Sequence, residues 1–228
     1  MVQTAVRSAD TSPRVLARKR EILRAASTLF RRQGLHGTGM RDIAAAAGMA
    51  VGNLYYYFRD KHALLAFCQE DALAGLLDLA AWVRSLPQRP DHKLYLLIVG
   101  HLLVLHEGSP GSVAHLDVDA LEPAARQAVV ARRDAYEGGF RQLLRQGVDN
   151  GVFRPVDPKV AGATILGALN WTAQWYHPDG DTSPRQLGEQ LAELLLRGVL
   201  ADGVRLQPPV DLVPSLAERR WSSMLEPR

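Results

Sequence analysis

Cysteine is almost absent from this chain of 228 residues: Cys68 is its one thiol. A lone thiol makes neither an internal disulfide nor a cysteine-based metal site, so disulfide scaffolds, zinc ribbons and paired redox cysteines are excluded together. Long apolar runs are missing too. The longest, Leu94 to Leu105, has twelve positions and includes Gly100 and His101, whereas a membrane-spanning helix needs about 20; it reads as a buried helix. The first thirteen residues are polar and lack the apolar stretch of a secretory signal, so a cytoplasmic location and no membrane partner are expected. Strand-period alternation is nowhere sustained. Enzyme signatures are wanting as well: there is no Gly-x-Ser-x-Gly elbow and no dinucleotide fingerprint, and Gly162 and Gly167, at phosphate-loop spacing, are followed by Ala168 rather than lysine. His101 and His106 lie five apart with Glu107 next, a poor spacing for metal ligands on one helix face. No catalytic residue, metal or cofactor is expected.

What the chain has instead is a divided charge. The whole holds 27 Lys+Arg against 24 Asp+Glu, but residues 1–61 carry eleven basic and four acidic side chains, a net of +7, and residues 62–228 a net of −4. A basic head on an acidic body points the head at a polyanion. The bland alternative is an arginine-rich helix face in water.

The apolar pattern is helical throughout. Residues 1–13 read as a disordered arm. From Arg14 onward Ile22, Ala26, Leu29 and Phe30 recur at helical spacing, with Leu23 and Ala25 widening the stripe, until Gly34 stops the helix. A second helix starts after Thr38 as N-cap, turns Met40, Ile43, Ala44 and Ala47 inward and ends at Gly48. A third follows within a few residues, in Gly52-Asn53-Leu54-Tyr55-Tyr56-Tyr57-Phe58. Two short helices across a glycine turn form a helix-turn-helix candidate. A long helix runs from Asp60, its N-cap, to about Ser85, and others are expected near 91–107, 122–150, 158–176 and 184–201. The chain is therefore expected to be all-α, with a head at 14–60, a body at 61–202 and a mostly irregular tail at 203–228 that holds at most a short amphipathic turn between 212 and 225.

Three of the six tyrosines are consecutive. Adjacent helical residues point about 100° apart, so a one-sided helix buries at most two of the three. Leu54 and Phe58, four apart, face the core beneath them. Gly52 lets a backbone come close, and Lys61 opens the next helix. Tyrosine hydroxyls, backbone amides and lysine are groups that grip phosphate oxygens. One ring that only packs between helices stays compatible with this pattern.

Thr38-Gly39-Met40-Arg41-Asp42-Ile43-Ala44, then Ala47-Gly48-Met49-Ala50-Val51-Gly52-Asn53-Leu54-Tyr55-Tyr56-Tyr57-Phe58, then Lys61 with Leu64 and Leu65, closely resembles the N-terminal signature of TetR-family transcriptional repressors. The resemblance covers about fifty residues. It implies a three-helix DNA-binding head, an all-helical effector-binding and dimerising body, and repression relieved by a small molecule. By position it brings Val51, Gly52 and Tyr56 to base edges, Arg41 to a base or a phosphate, and Asn53, Tyr55, Tyr57 and Lys61 to the DNA backbone, with Thr38 combining a cap and a phosphate contact. Many relatives are polar or basic where this chain has Val51; a thymine methyl is an apolar partner for it.

The same resemblance makes the last two long helices a dimer interface: Ile165, Leu166 and Leu169 on one, Leu187, Leu191, Leu194 and Leu195 on the other, with intramolecular core as the alternative for part of this set. A two-fold dimer reads a near-palindromic operator in double-stranded DNA. Trp82, Tyr95, His101, His106, His115, Tyr136, Trp171, Trp175 and Tyr176 are large polar-tipped side chains available to an effector cavity. Arg132-Arg133-Asp134-Ala135-Tyr136 and Gly167-Ala168-Leu169-Asn170-Trp171 through Trp175-Tyr176 resemble the bodies of TetR-type regulators of lipid, fatty-acid or steroid breakdown, several of which respond to acyl-CoA thioesters. For such a ligand the Leu94 to Leu105 segment offers an apolar channel, and Arg132, Arg133, Arg141 or Arg145 offers cations; arginines solvated on an amphipathic helix are the alternative. A helical protein-interaction module without DNA binding is the competing function, and it leaves the tyrosines and the +7 head unexplained.

Overall fold

The computed structural model describes residues 12–34, 37–108, 118–119, 121–177 and 180–213. The arm expected before residue 12, His115 and the tail from 214, with most of its expected amphipathic turn, lie outside the described residues. Among the described residues eight α-helices follow one another: α1 Pro13–Gln33, α2 Met40–Ala46, α3 Val51–Tyr57, α4 Lys61–Ser85, α5 Pro90–Leu103, α6 Pro123–Asp149, α7 Pro158–Trp175 and α8 Pro184–Arg197. A π-helical turn, Val104–Gly108, continues α5, where one uninterrupted helix to 107 is expected from sequence, and a 3-10 turn, Val210–Leu212, follows α8. Among the described residues the extended pairing is a single antiparallel bridge between Phe153 and Leu200. No described helix is long and apolar enough to cross a membrane.

The starts are set by local chemistry. Proline opens α1, α5, α6, α7 and α8, where its missing N–H costs nothing. Asp60 caps α4 by accepting the Ala63 N–H at 2.7 Å, and Ser183 exchanges a capping box with Gln186 at α8. The start of α2 departs from expectation. Its N-cap is Gly39, whose N–H donates to the Asp42 carboxylate at 2.9 Å, while the Thr38 hydroxyl turns back to donate to the Gly34 carbonyl at 2.8 Å.

Two apolar clusters result. In the head, Ile22, Leu23, Ala26 and Phe30 of α1 meet Ile43 and Ala44 of α2 and Leu54 and Phe58 at α3; Leu64, Leu65, Cys68 and Leu73 of α4, Leu121 and, from α6, Val129 join the cluster. The head's core thus runs past residue 60 into the first turns of α4. In the body, α5 is buried on all sides between α4, α6 and α8, as its unbroken apolar run requires. Gly188 lets α8 approach α5 closely, since a Cβ there would stand 3.0 Å from the Val99 Cα. Gly147 makes room for the buried Phe153 ring, which a Cβ at that position would overlap.

Cys68 is fully buried in the head cluster, and burial pushes its thiol well above the ordinary range. The thiolate is the reactive form. Native protein is therefore expected to react with Ellman's reagent at pH 8 at least about 100-fold more slowly than free cysteine, and to yield one thiol per chain on denaturation. Rapid native labelling would contradict this packing.

Candidate nucleic-acid interface

Between α2 and α3 the chain turns through Gly48 at φ 63°, a left-handed conformation that a residue with a Cβ rarely adopts. This turn sets the short α3 across the head. Leu54 and Phe58 plug it into the core. Phe58 is fixed in turn by Phe67, ring centroids 5.6 Å apart, with the Lys19 ammonium of α1 lying 5.4 Å from both rings. From the sequence Lys19 reads only as one of the basic residues of the first helix, because this contact joins residues far apart in the chain.

With that base held, α3 presents its other side to solvent. Tyr55 and Tyr56 are 50% and 67% exposed, and Gly52 and Asn53 are exposed beside them. Tyr57 is half-buried and meets the edge of the Tyr56 ring at 5.1 Å. Two phenols therefore point outward and the third packs. Val51 is partly exposed at the start of the helix, and Arg41 on α2 is exposed. Lys61, partly exposed, donates from Nζ to the Thr38 carbonyl at 3.2 Å, tying the first turn of α4 to the start of α2. Thr38 is the residue the structure sets apart from the expected group. It is 1% exposed, and its hydroxyl accepts from Gln33 Nε2 at 3.3 Å as well as donating to Gly34. It braces the α1–α2 turn and offers no hydroxyl to a phosphate.

A family model described as "Bacterial regulatory proteins, tetR family" matches residues 22–67, and one described as "Tetracyclin repressor-like, C-terminal domain" matches residues 87–199. The structure of the TetR-family regulator PfmR from Thermus thermophilus superposes with a TM-score of 0.71 at 33% identity, covering 77% of this chain and 97% of that one. The chain belongs to the TetR family. It is a transcriptional regulator with a helix-turn-helix head and a helical body, and not an enzyme. The HTH-type transcriptional repressor KstR2 of Mycobacterium tuberculosis is 27% identical over 197 residues, 83% of this chain and 96% of the relative. AibR, solved in complex with isovaleryl coenzyme A and operator DNA, has a TM-score of 0.69 at 27% identity over 80% of this chain and 98% of its own.

In the body, the expected effector residues are divided, among the described residues, between the core and the surface. His101 and Tyr136 are buried together, Nδ1 to Oη 3.1 Å, and burial pushes the Tyr136 phenol up. Tyr95, also buried, is pushed up to about 12, by burial first and then by Glu189 of α8. Trp82 sits partly buried at the core edge, and Arg132 and Arg133 are partly exposed on α6. Trp171 and Trp175 are 64% and 47% exposed: they stand on the outer side of α7, away from the interior. A shallow, open cleft of about 50 Å³ among the described residues lies elsewhere. Ala80, Val83, Leu97 and Leu143 floor it, and Arg84 and Lys93 stand at its rim.

The expected dimer residues also divide. Ile165, Leu169 and Leu187 are buried inside the protomer and leave no surface for a second copy. Leu166, Leu191 and Leu195 are partly buried against the same core, and Leu194 is 67% exposed. Sequence reasoning passed over the outward stripe of α7, Val160, Ala163, Thr164, Gly167 and Trp171, all exposed. The signal was there: α7 is apolar on two sides, so one stripe is free when the other is buried.

Proposed function

We propose that this chain is a dimeric repressor that grips a near-palindromic operator through α3 of each head and releases it when a small effector occupies the body. The observation that carries the reading is the exposure of Tyr55 and Tyr56, beside Gly52 and Asn53, on a helix whose opposite face is locked into the head core. Phenol hydroxyls, the Arg41 guanidinium and the Lys61 ammonium are phosphate-gripping groups on one basic head. The head would be residues 14–60 and the body 61–202, with the first turns of α4 shared between them. Val51 and Tyr56 would meet base edges; Asn53, Tyr55, Tyr57 and Lys61 would hold the backbone.

Two heads are required because seven residues of recognition helix read only a few base pairs. The outward stripe of α7, with Trp171 and Trp175, and Leu194 of α8 supply an apolar surface on which a second copy fits. AibR, a structural neighbour, was solved with an acyl-CoA thioester and operator DNA, which supports an effector of lipid-metabolite type here.

Footprinting of DNA upstream of the chain's own gene tests the reading. Two protected half-sites about one helical turn apart are expected, with log affinity falling linearly against log salt at a slope of about −0.9 per phosphate neutralised. A single unpaired footprint, or binding indifferent to salt, would refute it.

A further inference from the structure

Three of the partly buried arginines in this protein have carboxylate partners. Arg20 of α1 meets Asp71, Arg141 meets Glu137 and Arg185 meets Glu189. Arg133 of α6 is different. It lies partly buried in the seam between α6 and α4, and Nη2 donates to Oε1 of the fully buried Gln69 at 3.0 Å. Among the described residues no carboxylate forms an ion pair with it, and its guanidinium is drawn below the ordinary value by burial. A guanidinium carries five donors, and a neutral amide oxygen cancels none of its charge. A partly desolvated cation with a neutral partner carries a cost, and local costs of this kind gather where a protein binds something.

We propose that Arg133 is an anion receptor: the carboxylate or phosphate of the effector docks on its guanidinium at the α4–α6 seam, in competition with Gln69. The planar fork suits a carboxylate or phosphate oxygen pair, and the low-dielectric seam strengthens the contact. Tyr136 follows one turn later on α6, buried with His101 and Phe140, so an apolar interior lies next to the cation. An anion carrying an apolar body matches that pairing. The proposal deepens the effector-responsive reading above and rests on it for its regulatory meaning.

The site is also joined to the head. Gln69 and Asp71 are two residues apart on α4, and therefore about 200° apart around it. The first faces Arg133 of the body. The second accepts both Nε and Nη2 of Arg20 on α1, at 2.9 and 2.7 Å. One turn of α4 is thus held from opposite sides by body and head. An anion that draws Arg133 away from Gln69 loosens the body-side grip alone, and α4 carries the resulting shift through Asp71 to the helix that supports α3.

Titration calorimetry without DNA tests the receptor, using octanoate, octanoyl coenzyme A and inorganic phosphate as probes on wild type, Arg133→Gln and Arg133→Lys. Wild type is expected to bind one of the two amphipathic anions. Arg133→Gln should weaken that binding at least about 30-fold, and Arg133→Lys, which keeps the charge but not the fork, by no more than about tenfold. Octanoate as the bound probe identifies a carboxylate effector; octanoyl coenzyme A without octanoate identifies phosphate recognition. Thermal melting supplies a second readout. Because Arg133→Gln removes a partly buried charge that has no carboxylate partner among the described residues and leaves an amide to face Gln69, its Tm should equal or exceed that of wild type. The proposal is overturned by wild type that binds none of the three probes, by equal affinity in Arg133→Gln, or by a fall in Tm of more than about 5 °C in that variant, which would mark a structural cation. Since no DNA is present, failure of the operator reading shows in footprinting and not in this experiment.

Discussion

Asp71→Ala is expected to cost about 3 kcal/mol of stability, a fall of roughly 6–12 °C in Tm at fixed protein concentration. The side chains of Arg20 and Asp71 are 13% and 5% exposed, and both donors of the guanidinium fork meet one carboxylate oxygen. Removing the acid leaves a guanidinium with little water to replace its partner, which is why breaking such a pair costs more than forming it gains. Asp71→Asn keeps an acceptor and should lose less than half as much. The measurement is a two-variant melting comparison by circular dichroism. A loss below about 1 kcal/mol for Asp71→Ala would show that the pair behaves as a surface ion pair, and that α1 is held to α4 by the apolar cluster alone.

The second large effect is on DNA. Tyr55→Ala with Tyr56→Ala should weaken operator binding by about 100-fold or more, since each tenfold is 1.4 kcal/mol and two contacts are lost in each of two heads. Stability should hardly change, because both rings are half exposed or more and surface substitutions of this kind stay within about 0.5 kcal/mol. That split separates a DNA-facing role from a packing role. Gel-shift titration and melting of the same sample decide between them: a lowered Tm with near-normal affinity would place the rings in the fold rather than on the duplex.

The helices were readable because their ends carry local chemistry. Asp60 as a cap and Gly34 and Gly48 as stops act within a few residues, and sequence shows such signals directly; the prolines at first turns and the Ser183 cap carry the same kind of signal and were passed over. The outward face of α3 was readable for a related reason: three adjacent tyrosines cannot all hide on one helix. Thr38 was misread because its hydroxyl has two partners within reach, the start of α2 ahead and the Gly34 carbonyl behind, and the path of the turn decides between them. Ile165 and Leu169 fall to the alternative kept for them, intramolecular core, because both stripes of α7 satisfy helical spacing. Only the packing of α5 and α6 against Ile165 and Leu169 tells which one turns inward. The polar ties of α4 were out of reach altogether, as their partners lie 51 and 64 residues apart in the chain.

Trp171 and Trp175 stand in water on a protomer taken by itself, and indole emission is sensitive to its surroundings. The protein therefore carries its own optical gauge of self-association. Dilution that separates two copies joined through this face should move the emission maximum toward the red, and the midpoint of that movement would read out the dissociation constant without any added label.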